Sequence, residues 1–107
     1  MNASSFDLET TLVSRHPKAQ FREVGDEIFL VHPDGVQIHN LNPMAAALWR
    51  LLDNPMTGRE MAQVVQAAFP IMAMSKVEDD IKRVLSEFLE HGFAQGKEKT
   101  HKKSKFP

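Results

Sequence analysis

The residues whose types could do chemistry are five histidines and one run of acids. The histidines are His16, His32, His39, His91 and His101. A metal centre needs two or three such side chains to converge, and neither H-E-x-x-H nor H-x-x-x-H spacing occurs. No metal site is therefore expected, and His39 reads as a wet strand residue. Glu78-Asp79-Asp80 offers adjacent carboxylates that could in principle exchange protons with a substrate. The same three acids fall in the first turn of a helical pattern, where negative charge complements the helix dipole. The structural role is the stronger reading. No Ser/His/Asp set lies in a recognisable frame, and no glycine-rich phosphate loop is present. Cysteine is absent, which excludes thiol nucleophiles, disulfides and thiolate zinc sites. The chain reads as one that binds rather than one that catalyses, with no cofactor.

Length and composition fit one domain with tails: 107 residues, 42% of them hydrophobic. No run approaches the roughly 20 apolar residues of a membrane span. The N-terminus, MNASSFDLETTL, carries acids and lacks the apolar stretch of a signal peptide. A cytoplasmic protein is expected. The net charge of −1 is unevenly spread. Residues 1–96 hold 8 Lys/Arg and 13 Asp/Glu, whereas residues 97–107 hold 5 Lys/Arg and 1 Asp/Glu. An acidic body thus carries a basic end.

The elements that position these residues centre on DEIFLVHPDGVQIHNLNPMAAALWRLLD, residues 26–53. Ile28–Val31 is a continuous apolar run of β-formers. His32-Pro33-Asp34-Gly35 has turn chemistry. Val36-Gln37-Ile38-His39 alternates apolar and polar, the pattern of a strand with one wet face. Such a strand at the end of a hairpin reads as an edge, with Gln37 and His39 on its open side. Residues 19–24 supply an earlier strand, completing a three-stranded antiparallel meander. Asn42-Pro43 starts a helix, with Asn42 as cap and Pro43 in first position. Met44, Ala45, Leu48, Trp49, Leu51 and Leu52 form its stripe. Thr57-Gly58-Arg59-Glu60 predicts a second helix through a capping box, with Met61, Val64, Val65, Ala68 and Phe69 inward. Ser75-Lys76-Val77-Glu78 predicts a third, with Val77, Ile81, Val84, Leu85, Phe88 and Leu89 inward and Gly92 as its stop. The apolar link 71–74 is expected to pack down. The fold class is α+β: a meander followed by three helices, in a winged-helix-like order. Residues 1–17 read as a loosely attached arm, 18–95 as the domain and 96–107 as a basic disordered tail.

Several pieces together carry a family resemblance. They are Arg22-Glu23-Val24-Gly25-Asp26-Glu27, Leu41-Asn42-Pro43 followed by Ala45-Ala46-Ala47-Leu48-Trp49, Leu52-Asp53 before a capped helix, and a last helix ending Glu90-His91-Gly92-Phe93. In this ordered combination, over residues 16–95, the chain resembles pyrroloquinoline quinone biosynthesis protein D (PqqD) and the wider PqqD-like group, the peptide recognition elements of ribosomally made, modified peptide pathways. The resemblance implies a non-catalytic chaperone. It would bind the leader of a precursor peptide and present it to a modifying enzyme, often of the radical SAM class. The leader would add as a strand in a groove whose two sides, carried over by position, are Val36, Gln37, Ile38, His39 and Asn40 facing Asp80, Arg83, Val84 and Glu87. The arm and the basic tail are not part of the family core.

Two other classes compete. A winged-helix DNA-binding regulator would need a basic recognition helix, and both later helices carry acids beside their few cations. An acidic body repels phosphate, so no specific nucleic-acid partner is expected. A docking protein for a single partner enzyme is the other class. An open edge strand also permits a homodimer through strand pairing or swapping.

Overall fold

The computed structural model describes residues 6–98 of the chain. In chain order the elements are β1 (Thr11–Arg15), β2 (Gln20–Val24), β3 (Glu27–Val31), β4 (Ile38–Asn40), α1 (Pro43–Leu51), β5 (Met56–Thr57), α2 (Gly58–Ala68), α3 (Met74–Glu90) and β6 (Ala94–Glu98). The fold is α+β, as the sequence led one to expect, with two antiparallel three-stranded sheets rather than one.

The expected meander is the sheet β2-β3-β4. Its third strand is shorter than the alternation suggested, because Asp34 captures the residues that would have begun it. The Asp34 carboxylate accepts from the backbone N–H of Val36 at 2.8 Å and of Gln37 at 3.4 Å. Gly35, at φ +78°, closes the turn by donating to the His32 carbonyl at 2.7 Å.

The second sheet, in the order β5-β1-β6, corrects two expectations. Residues 11–15, read as part of a loose arm, form its central strand. Thr11 and Val13 point inward, Leu8 is buried as well, and Phe6 packs against the core. Gly96, Lys97 and Glu98, read as the start of a disordered tail, pair with Val13, Leu12 and Thr11 in β6. Only Ala94 of that strand is buried, so its backbone pairing leaves almost no side-chain signal. A Cβ at Gly96 would stand 2.9 Å from a Thr11 methyl, so the close approach of β6 to β1 uses the missing side chain. The remaining expectations for the arm and the tail, at residues 1–5 and 99–107, lie outside the described residues.

The helices follow their local codes with one exception. Asn42 caps α1 by accepting from Ala45 N–H at 2.8 Å. Thr57 and Glu60 form the reciprocal capping box of α2. The predicted box at Ser75 does not form. The helix begins two residues earlier, with Ala73 as its cap residue and no side-chain cap bond. Glu78 instead reaches across to Arg59 at 2.5 Å and ties α3 to α2. On α2, Met61, Ala62 and Val65 are buried, while Val64 and Phe69, expected inward, are largely exposed. In the link after α2, expected to pack down, Ile71 is 98% exposed while Met72 and Met74 rest against the core.

Trp49 stands at the centre, fully buried. Phe88 meets it edge-on at 5.4 Å and Phe21 at 5.9 Å. The Arg15 guanidinium lies over the Phe21 and Trp49 rings at 4.8 and 4.7 Å and donates to the Trp49 carbonyl at 2.6 Å. Burial lowers the Arg15 pKa from its ordinary value, opposed by Asp53 and Glu23.

Because β6 covers β1, deleting residues 96–107 removes three of the five β1–β6 pairings. The melting temperature, followed by circular dichroism, should fall by more than about 5 °C, the shift that roughly 1 kcal/mol produces in a domain of this size. An unchanged melting curve would mean that β6 contributes nothing to stability.

Candidate functional site

Among the described residues the meander sheet ends in β4, which pairs on one side only, with β3. Phe29, Leu30 and Val31 stand opposite Asn40, His39 and Ile38. Two backbone bonds fix which groups face which way. His32 N–H donates to Gln37 O and Leu41 N–H donates to Ile28 O, each at 2.9 Å. Hydrogen-bonded pairs alternate along an antiparallel ladder, so His39 is the bonded partner of Leu30. Ile38 and Asn40 therefore turn their N–H and C=O groups away from β3, toward the open edge.

The side chains of this edge lie the other way up from the sequence expectation. His39, expected on the wet face, points toward the end of α3 and is half-buried. Its ring lies 5.0 Å from that of Phe93 and 5.1 Å from that of His91. Ile38 and Val36 face out, 65% and 78% exposed. The reason is the pairing: His39 shares a face with the buried Leu30 opposite it, and Ile38 shares the outer face with Val31. Gln37 belongs to the turn, with its N–H toward Asp34. Asn40 reaches along the sheet and donates to Glu27 Oε1 at 3.3 Å.

On α3, four expected residues divide. Val84 is 2% exposed and belongs to the core. Asp80, Arg83 and Glu87 fall on one stripe with Lys76 and His91, at steps of three and four residues. His91, at the C-terminal end of that stripe, meets His39 of β4. Asp80 accepts from Lys76 Nζ at 2.8 Å and from Arg83 at 3.2 Å. The Lys76 hydrogen bond holds the Asp80 carboxyl below its ordinary pKa, with Arg83 contributing less and burial opposing both.

Sequence reasoning missed His91 as a neighbour of the strand. His91 was findable as the next step of the Asp80, Arg83, Glu87 stripe. Its approach to His39 depends on how β4 docks, which no local pattern states. Three scattered histidines do gather here, since His32 also meets Phe93, at 5.6 Å. Among the described residues no group of His, Asp or Glu is placed to hold a metal ion. Nor is any described helix long and apolar enough to cross a membrane. A hollow of about 840 Å³ lies elsewhere, between α3 and β6, with Leu8, Lys82 and Leu89 in its lining. Its size alone gives it no claim over β4, because backbone donors and acceptors turned outward can bind without a cavity.

The family model of Coenzyme PQQ synthesis protein D (PqqD) matches residues 27–94, which is more than half of the chain. No curated protein and no solved structure matches it.

The Asp80 ion pairs predict an acid-dependent stability. A carboxyl with a depressed pKa contributes stability above its unfolded value, near about pH 3.9, and loses it as pH falls through the folded value. Asp80→Asn should therefore be less stable than the parent near neutral pH, with the gap closing below about pH 4. Urea melts across that range measure it. A gap that stays constant down to the lowest pH would show that packing, not charge, is responsible.

Proposed function

The chain belongs to the PqqD family, whose members take part in pyrroloquinoline quinone biosynthesis as peptide-binding partners of a modifying enzyme, and we propose that it binds the leader of a ribosomally made precursor peptide by strand addition to β4. The observation that carries this reading is the pair of outward-turned backbone groups at Ile38 and Asn40, on the strand whose His39 meets His91 at the end of the polar α3 stripe. A leader laid along that edge gains main-chain hydrogen bonds for affinity, while Arg83, Glu87, His91 and His39 contact its side chains. The chain holds and orients the peptide, and the chemistry belongs to the partner enzyme, for which a radical SAM enzyme is the natural candidate. Asp80 acts behind this surface, fixing Arg83 and Lys76 in place.

Ile38→Pro tests the reading directly. The Ile38 N–H faces the open edge, so proline removes a donor meant for the ligand and leaves the β3 ladder intact. With a synthetic leader from a precursor gene adjoining the one for this chain, Ile38→Pro and Arg83→Glu should each weaken binding by at least about five-fold, as central interface positions often do. The parent's amide signals should move from Val36 to Asn40 and from Asp80 to Glu87. Largest shifts on α2, or unaltered affinity in both variants, would sink the proposal.

A further inference from the structure

The geometry of the edge points to the kind of strand it accepts: we propose an amphipathic one, with apolar side chains on the outer face beside Ile38 and Val36 and polar side chains turned toward α3. This rests on the peptide reading above and specifies its ligand.

Side chains of a strand alternate between the two faces of a sheet, and neighbours on one face pack across strands. On the outer face Val31 stands directly opposite Ile38, so an apolar row runs across β3 and β4 and stops at the open edge. Val36 extends that surface just before the strand, 78% exposed. On the inner face β4 is flanked by imidazole rings and charged side chains rather than by an apolar row. The His39 ring packs on Phe93 and His91, and the stripe beyond it presents Glu87 and Arg83. Among the described residues neither the His39 nor the His91 imidazole makes a hydrogen bond, so both remain available to polar ligand side chains.

Of the two edges of the meander sheet, chemistry singles out β4. Exposed edges are ordinarily protected by charge or proline. The opposite edge, β2, carries Arg22 and Glu23, and Arg50 of α1 reaches Glu23 at 3.5 Å. Residues 36–40 carry neither a carboxylate nor a lysine, arginine or proline. An unguarded edge with an apolar outer row suits a partner strand that continues that row. Its three residues give a second copy of this chain few pairings to make, which favours a peptide as the occupant.

Two short synthetic peptides test this, one alternating valine and serine and one of serine alone, titrated against methyl-labelled full-length protein. The valine peptide should bind more tightly and show nuclear Overhauser contacts from its methyls to Ile38 and Val36. Ile38→Thr keeps the β-propensity but removes apolar surface. It should weaken the valine peptide about three- to five-fold, the upper range for one cross-strand pair, and leave the serine peptide unaffected. Valine contacts to His39, His91 and Phe93 instead would overturn this inference and leave the peptide reading standing. Absence of shifts at Val36–Asn40 with either peptide would overturn both. A peptide-independent dimer paired through β4 would overturn the assignment of the edge to a ligand strand.

Discussion

One contact fixes the frame on which the site depends: the Arg15 guanidinium laid over the Phe21 and Trp49 rings. It joins β1 to β2 and α1, and its donation to the Trp49 carbonyl adds a charged hydrogen bond to the ring contacts. Trp49 passes the constraint on to α3 through Phe88. Four elements from distant parts of the chain are thereby set against one another. Cation–π contact gains strength when the pair is partly desolvated, which is the situation here.

That frame sets the position of the edge. Ile28 and Leu30 of β3 are fully buried, so the meander cannot slide by one residue without turning its apolar set outward. With β3 held, the pairing fixes His39 inward and Ile38 outward. Phe93 then closes the inner side, because Gly92 at φ +79° ends α3 and turns the chain back under His32 and His39. The edge is open because no described strand pairs with β4 on the side away from β3.

Much of this was legible in the sequence. The meander, the Asn42 cap, the Thr57–Glu60 box and the Gly92 stop are local signals, and each appears where its chemistry demands. What was not legible is non-local. β1 has its apolar residues adjacent, at Leu12 and Val13, and joins a partner more than eighty residues away. β6 is held by backbone pairing through Gly-Lys-Glu, a sequence with a tail's composition. The Ser75 box lost to an alternative that only the fold offers, the reach of Glu78 to Arg59. At the site, the alternation of residues 36–39 was read correctly as period two but assigned to the wrong faces. Period two does not say which face is inside; the buried residue across the ladder does.

The shortness of β4 has a kinetic meaning. Two residues facing outward offer four main-chain hydrogen bonds to an added strand. At about 0.5–1.5 kcal/mol net each, these total roughly 2–6 kcal/mol. Losing overall translational and rotational freedom costs an estimated 4 kcal/mol or more. The backbone alone therefore cannot retain a strand for long, and side-chain contacts must decide how long it stays. Because differences among related complexes lie mostly in the dissociation rate, such an edge favours brief occupancy and rapid exchange. For the peptide-binding role proposed above, a strand of three residues suits such exchange better than a longer one would.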